Sequence, residues 1–180
     1  MRAVRQIVLL RGVNLGSRNR VVMSELRCAL EDAGYADVAT YLQSGNAVVT
    51  SRKPPARVAT DCRRLIEERF GLEIAIVVRT RDELARVVAR NPLGAVATNP
   101  KRYQVSFLAQ QPSRDVVKRL EALAAGRERL VAIGRELYAW HPAGVARSKL
   151  WAALAGPSLG VSATARNWTT VTKLLELADG

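Results

Sequence analysis

The residues with the clearest chemical potential lie in a polar loop that follows the first apolar run of the chain. Residues 9–17 read LLRGVNLGS, so an arginine, two glycines and an asparagine come directly after residues typical of a buried strand. A glycine-containing loop can present backbone N–H groups to an anion, and the guanidinium of Arg11 adds a positive charge. We therefore expect an anion-binding loop that contains Arg11, Gly12 and Asn14.

A second polar segment, Ser44, Gly45 and Asn46, separates two later strand-like runs and predicts a hairpin. The first 79 residues follow the order strand, helix, strand, strand, helix, strand, which is the ferredoxin-like pattern. In such a sheet, with strand order 4-1-3-2, the first two strands run in the same direction. The polar loop and the hairpin should therefore lie at the same end of the sheet, beside the positive N-terminus of the first helix.

Apolar periodicity predicts the elements of this first part as strands at residues 6–10, 38–43, 47–51 and 74–79, and helices at residues 22–33 and 54–70. A helix at residues 82–89 leads into a segment rich in proline, glycine and asparagine. The later elements are strands at residues 103–109, 129–133 and 136–141, helices from 113, at 147–154 and at 167–178, and an extended piece near residues 159–163.

The predicted fold class is therefore α+β, with two ferredoxin-like (alpha-beta plait) units in one chain. The second unit is expected to have an incomplete last strand and an extra C-terminal helix. The predicted boundaries are residues 1–79 for the first unit, 80–101 for the helix and linker, and 102–180 for the second unit.

The loop motif has a structural alternative. Two glycines four residues apart match neither GxxxxGK[ST] nor GxGxxG, so a P-loop nucleotide hydrolase is not predicted. Gly12 and Gly16 would then serve turn geometry, Asn14 and Asn46 would cap backbone groups, and Arg11 would pair with an acidic neighbour.

Arg166, Asn167 and Trp168 form a second candidate group at the start of the last helix. Arg166 can clamp a carboxylate or phosphate, and Trp168 can stack on a base. In the structural alternative, Asn167 is the helix N-cap and Trp168 belongs to the buried helix face. Core packing explains the tryptophan but not the arginine, so we keep Arg166 and Asn167 among the expected ligand-binding residues.

The remaining reactive side chains predict little chemistry. Ser148 and Lys149 are adjacent on a helix and point about 100° apart, so Ser148 is better explained as a helix cap than as a nucleophile with a lysine base. His141 is the single histidine, which excludes a histidine-rich metal site. Cys28 and Cys62 have no metal-ligand spacing and are interpreted as small buried hydrophobes. We predict no metal and no cofactor.

Charge and composition narrow the class of partner. The formal net charge is +12, and the excess is distributed over both halves of the chain, which favours an anionic small molecule or nucleic acid. A GC-rich genome also produces an arginine-rich and alanine-rich composition, which would explain the positive charge without nucleic-acid binding. No apolar run approaches the roughly 20 residues that span a bilayer, and no signal-peptide pattern is present. The expectation is a cytoplasmic protein with no membrane partner.

Several segments resemble the signature of one bacterial family, the domain of unknown function family 1697. They read LLRGVN at residues 9–14, YLQSGNAVV at 41–49 and TARNWTTVTKL at 164–174, supported by VVMSELR at 21–27 and GVARSKL at 144–150. The resemblance implies two small ferredoxin-like units and implies no activity. The matching positions are Arg11, Gly12, Asn14, Gln43, Ser44, Gly45, Asn46, Ser148, Lys149, Arg166, Asn167 and Trp168. Ser17 departs from the family, which often has a glycine there.

Three functions remain open from the sequence. The first is a binding module for a nucleotide, RNA or a phosphorylated metabolite, with the polar loop and the Ser44–Asn46 hairpin as its site and with Arg166 joining if the ends of the two units meet. The second is a small enzyme in which arginine and asparagine side chains stabilise developing negative charge, although no general base is evident. The third is an assembly protein, which requires an exposed apolar sheet face.

Overall fold

The computed structural model describes residues 2–180, apart from the side chain of Ser158. The chain forms two compact units. The first contains the residues up to Arg86 together with Lys173–Gly180, and the second is Val87–Thr172. The end of the C-terminal helix therefore belongs to the first unit, a return of the chain that periodicity along the sequence does not reveal.

The first unit is a four-stranded antiparallel sheet with two main helices. Its elements are β1 Val4–Leu10, α1 Met23–Asp32, β2 Ala36–Tyr41, β3 Asn46–Ser51, α2 Pro55–Phe70 and β4 Ile76–Thr80. The strand order is β2-β3-β1-β4, and every neighbouring pair is antiparallel. This is the predicted ferredoxin-like arrangement, with β1 and β2 running in the same direction.

The second unit repeats this topology with the strand order β6-β7-β5-β8. Helix α3, Arg81–Arg90, begins in the first unit and ends in the second. The elements that follow are β5 Tyr103–Leu108, α4 Arg114–Leu123, β6 Arg129–Ile133, β7 Glu136–Trp140, α5 Lys149–Ala155, a 3-10 turn at Pro157–Leu159, β8 Ala163–Asn167 and α6 Trp168–Asp179. The α+β class with two ferredoxin-like units and a C-terminal helix is confirmed.

The last strand of the second unit differs from the prediction. It lies at Ala163–Asn167 and pairs with β5 along its whole length, whereas an incomplete piece was expected near residues 159–163. Gly160 instead ends the 3-10 turn in the left-handed region, with φ +69°. The strand sequence ATARN has no apolar run, and it buries Arg166, so hydrophobic patterning could not locate it.

The core of the first unit lies between the two helices and one face of the sheet. Its buried side chains include Val8, Leu10, Leu26, Leu30, Val49, Val58, Cys62, Ile66, Ile76 and Val78. Burial raises the pKa of the Cys62 thiol to about 12, so this cysteine behaves as a small hydrophobe, as predicted. Cys28 is exposed, and its expected burial was wrong, because it lies on the solvent side of α1.

The opposite face of the same sheet is also apolar and buried. Ile7, Leu9, Val48 and Val77 alternate with the core residues along their strands, and each is at most 2% exposed. These residues therefore offer no exposed apolar sheet face of the kind that the assembly hypothesis requires. In the second unit, α4 and α5 pack with the sheet around Leu108, Leu120, Leu137, Leu150 and Leu154. Within residues 2–180, no helix has the length and apolar character needed to cross a membrane.

The hairpins of the two units offer a matched test of packing. Gly45 has φ +82°, and a Cβ there would lie 2.5 Å from Val13 Cγ2 and 2.8 Å from Leu10 Cβ. Gly134 has φ +60°, but a Cβ there would meet only Glu136 Oε2, at 3.9 Å. Gly134→Ala should lower the free energy of unfolding by about 1 kcal/mol through the left-handed backbone alone. Gly45→Ala should lower it by about 3 kcal/mol, because overlap adds to that penalty. Urea unfolding measures both, and equal losses would contradict this packing argument.

Candidate functional site

The loop between β1 and α1 contacts the hairpin between β2 and β3, as the predicted topology requires. The N–H of Leu10 donates to the carbonyl of Gly45 at 2.9 Å. Asn14 Nδ2 donates to the carbonyl of Gln43 at 2.7 Å. The two segments that carry most of the sequence-predicted site residues are therefore joined by hydrogen bonds at one end of the sheet.

Asn14 closes the loop on itself. It has φ +54°, in the region that asparagine tolerates better than most residues. Its Nδ2 donates to the carbonyl of Val21, and its Oδ1 accepts from the N–H of Val21, both at 2.9 Å. Its own N–H donates to Asn19 O at 3.0 Å, and Asn19 Nδ2 donates to Gly12 O at 3.0 Å. Because both Nδ2 hydrogens of Asn14 are used, this side chain shapes the loop and has no amide donor left for a ligand.

The hairpin is held in the same way by Asn46. This residue is fully buried, and its Nδ2 donates to the carbonyl of Tyr41 at 2.8 Å and to Ser44 Oγ at 3.0 Å. A buried amide with such partners stabilises a turn, because leaving it unsatisfied would cost free energy. The asparagines at both segments thus cap backbone groups, as the structural alternative predicts.

Three arginines give the loop its charge. Arg11 is half-buried at the end of β1, and its backbone N–H donates to Ala75 O at 3.0 Å. Arg18 and Arg20 are exposed on the loop itself. Residues 11–22 contain no aspartate or glutamate, so no carboxylate within the segment offsets these three positive charges. The loop can therefore attract an anion with arginines carried on a backbone that hydrogen bonds hold in place.

Asn167 and Trp168 have structural roles in the second unit. Asn167 Oδ1 accepts from the N–H of Thr170 at 2.9 Å, so Asn167 is the N-cap of α6. The Trp168 ring is half-buried and stacks on the ring of Tyr103, with centroids 4.7 Å apart and planes 15° apart. The stacking partner of the tryptophan is thus an aromatic side chain of the protein itself.

Arg166 is a buried cation. It is 7% exposed, and its Nη1 donates to Thr164 Oγ1 at 2.7 Å and to Ala165 O at 2.8 Å. Burial lowers the pKa of its guanidinium to about 10, which still leaves the group charged at neutral pH. The structure places Arg166 and Asn167 in the second unit, whereas the loop and hairpin belong to the first.

Three polar side chains that are far apart in the sequence form a cluster in the second unit. Glu128 Oε1 accepts from Ser148 Oγ at 2.5 Å and lies 2.7 Å from His141 Nδ1. Glu128 Oε2 accepts from the N–H of Ala125 at 3.1 Å. Ser148 Oγ also accepts from the N–H of Trp151, so this serine caps α5, as predicted. Residues 128, 141 and 148 share no motif spacing, so only the fold could bring them together.

The cluster is not a hydrolase triad. Ser148 Oγ lies 3.2 Å from His141 Nδ1, the same nitrogen that faces Glu128, whereas a triad uses the two ring nitrogens for different partners. His141 is fully buried, and its Nε2 has no hydrogen-bond partner. Burial of Glu128 opposes its ionisation, but hydrogen bonds from Ser148, His141 and Ala125 outweigh this effect and hold its pKa below the ordinary value.

No metal centre is evident in the part of the chain that the structure describes. Among those residues, no group of three or more histidine, cysteine, aspartate or glutamate side chains could hold a metal ion. The candidate sites are the cationic loop of the first unit and the surroundings of the Glu128 cluster in the second.

Comparison with known proteins identifies relatives but no activity. A family model described as "Protein of unknown function (DUF1697)" matches residues 4–138, a span that contains the loop and the hairpin. A conserved bacterial protein from Streptococcus pneumoniae has a similar structure, with a TM-score of 0.75 and 22% sequence identity over 98% of this chain and 99% of that chain. At this identity the likeness concerns the fold alone. A comparison with curated proteins finds no match.

The role of Asn14 in the loop can be tested with Asn14→Gly, which removes the amide without penalising φ +54°. Loss of the bonds to Val21 and Gln43 should cost about 1–3 kcal/mol of local stability. The backbone amides at residue 14, Arg18 and Val21, which are hydrogen-bonded within the loop, should then exchange with deuterium roughly tenfold faster or more. Unchanged exchange there, measured by mass spectrometry, would show that the amide does not hold the loop.

The Glu128 cluster predicts a pH dependence of stability. Because the folded pKa of Glu128 is below its ordinary value near 4.5, its contribution is complete above about pH 4.5 and is lost as pH falls through the lower folded value. Glu128→Gln keeps the side-chain size and removes this titration. The stability difference between wild type and Glu128→Gln in urea should therefore be largest at neutral pH and should shrink on acidification below pH 4.5. A difference that stays constant with pH would refute the assignment.

Proposed function

The chain belongs to the DUF1697 family of proteins of unknown function, and we propose that its first unit binds an anionic ligand through a phosphate group at the β1–α1 loop. Among the ligands that suit such a loop, we propose a nucleotide. The binding residues are Arg11, Arg18 and Arg20, with the backbone of the loop. The protein acts in this proposal as a binding module in the bacterial cytoplasm.

The observation that carries the proposal is the closure of the loop by Asn14. Its amide bonds to Val21 and Gln43 organise the backbone before any ligand arrives. A loop that is already ordered loses less conformational entropy on binding, so more of its interaction energy appears as affinity. Asn14 therefore contributes indirectly, by holding the segment that carries Arg18 and Arg20.

Charge supports phosphate as the bound group. A guanidinium donates two parallel hydrogen bonds to a phosphate, and charge-assisted bonds are about twice as strong as neutral ones. Three arginines within residues 11–22, with no acidic residue among them, concentrate positive charge on one segment. The net charge of +12 adds a longer-range attraction for polyanions, which salt screens.

Exposed apolar side chains beside the loop favour a nucleotide over inorganic phosphate. Leu15 is 67% exposed and Leu42 is 52% exposed. They are the chain neighbours of Asn14 and Gln43, which are joined by a hydrogen bond of 2.7 Å. A ligand with a flat apolar part next to its phosphate would cover such leucines, and a nucleotide base is of that kind.

Binding is preferred to catalysis because both polar segments lack a base. Residues 11–22 and 44–46 contain no aspartate, glutamate or histidine that could accept a proton. The amides of Asn14 and Asn46, which the enzyme hypothesis needs for charge stabilisation, donate to atoms of the protein. The geometry of these segments thus favours holding an anion over transforming it.

The proposal is tested by removing the exposed cations of the loop. Arg18→Gln/Arg20→Gln should weaken ADP binding at least tenfold, since each guanidinium–phosphate contact is worth roughly 1 kcal/mol or more. Arg63→Gln/Arg64→Gln, on the exposed face of α2, removes the same charge and should change the dissociation constant less than twofold. Isothermal titration at physiological salt measures both variants.

Two outcomes would overturn the proposal. One is equal weakening by both double variants, which would mean that ADP responds only to net charge. The other is binding of ribose 5-phosphate or short RNA with unchanged affinity in Arg18→Gln/Arg20→Gln, which would locate phosphate recognition elsewhere. A third result would overturn only the nucleotide assignment. Ribose 5-phosphate would bind the wild type as tightly as ADP does, and Arg18→Gln/Arg20→Gln would abolish this binding, so the loop would remain the phosphate site.

A further inference from the structure

The second unit contains a surface cavity beside the Glu128 cluster, and the proposed function leaves this cavity without a role. Its volume is about 770 Å³, within the range of small-molecule sites. Two short segments, residues 125–128 and 142–148, supply its described lining. All of these residues belong to the second unit.

Two arginines face this cavity. Arg127 and Arg147 line it and are exposed. Within the described chain, neither guanidinium forms a hydrogen bond or an ion pair, unlike Arg27 or Arg57, which have carboxylate partners on their own helices. One cation on each lining segment is therefore available to an anion from outside the protein.

Hydrogen bonds hold both lining segments. The N–H of Glu128 donates to Ala125 O at 3.0 Å, and the side chain of Glu128 accepts from the N–H of Ala125 in return. The N–H of Gly144 donates to His141 O at 2.8 Å, and Arg102 Nη1 donates to Pro142 O. Because Ser148 also bonds to Glu128, the cluster ties one segment to the other. The two arginines are thus carried by a shaped, preorganised cavity.

The rest of the lining sets the character of the ligand. Ala125, Pro142, Ala143 and Ala146 make most of the wall apolar, which suits the carbon skeleton of a small molecule. Glu128 is the one acidic residue of the described lining, and its carboxylate oxygens already accept three hydrogen bonds. Two guanidinium groups against one internally satisfied carboxylate favour an anion over a cation.

We infer that this cavity is a second binding site, for a small organic anion whose phosphate or carboxylate groups pair with Arg127 and Arg147. Glu128 and Ser148 line this cavity, and their hydrogen bond joins its two segments, with His141 buried against Glu128. The site is independent of the loop proposed above, because it uses residues of the second unit only.

The experiment is a titration of the full chain followed by ¹H–¹⁵N correlation NMR, with glycerol 3-phosphate, succinate and 3-phosphoglycerate as separate probes. At least one probe should cause saturable shifts at the amides of residues 125–128 and 143–148. Phosphate-bearing and carboxylate-bearing probes distinguish which anionic group is preferred. Arg127→Gln/Arg147→Gln should weaken the affinity for that probe, read from the shifts of these amides, at least tenfold.

Two further variants keep the test specific. Arg114→Gln/Lys118→Gln removes the same charge from another surface depression of the same unit and should change affinity less than twofold. Ala146→Phe adds bulk at the cavity wall without changing charge and should also weaken binding. Absence of shifts at these amides with all three probes would overturn the inference. So would equal affinity in wild type and Arg127→Gln/Arg147→Gln, while a retained spectrum shows that each variant is folded.

Discussion

The hydrogen bonds of Asn14 are the constraint on which the first unit's polar end depends. A single side chain joins the start of the loop to its end at Val21 and to the neighbouring hairpin at Gln43. Without it, a polar segment rich in glycine and arginine would gain little order from its own packing, since Leu15 and residues 16–20 are exposed. The sheet places the loop and the hairpin side by side, and the hydrogen bond from the Asn14 amide to Gln43 joins them.

Other polar side chains with little exposure also hold local structure in the chain. Asn46 holds the hairpin, and Glu128 joins two segments of the second unit through bonds from Ser148 and His141. Arg166 remains charged although it is nearly inaccessible, because its burial lowers its pKa only to about 10. Each such group would be costly if unpaired, so each strongly specifies the local conformation around it.

The parts of the fold that the sequence could predict are those governed by hydrophobic periodicity. Met23, Leu26 and Leu30 mark the buried face of α1, and Val58, Cys62 and Ile66 that of α2, where the structure has them buried. Gly71 ends α2 with a left-handed backbone, which is the C-terminal cap that a glycine directly after a helical pattern predicts. Periodicity misplaces β8 because the sequence of this strand has no apolar run. It also predicts that Cys28 is buried, although its side of α1 faces solvent.

The candidate sites were predictable to a different degree. The contact between loop and hairpin follows from strand direction, which the order of elements determines once the fold class is known. Residue identity alone did not reveal how Asn14 is used, because an asparagine in a polar loop suits a ligand contact and a backbone cap equally well. Tertiary structure alone brings together Glu128, His141 and Ser148, so no local spacing in the sequence predicts their cluster. The same is true of Arg127 and Arg147 at the cavity.

We propose that the loop binds a nucleotide because Asn14 orders it in advance, and the ADP affinity of Asn14→Gly measures this dependence. This variant retains Arg11, Arg18 and Arg20, so it removes order without removing charge. We expect Asn14→Gly to raise the dissociation constant for ADP about fivefold or more, equivalent to roughly 1 kcal/mol of added ordering cost. If the loop amides exchange faster but the dissociation constant is unchanged, binding does not depend on the closed loop and the proposal is wrong.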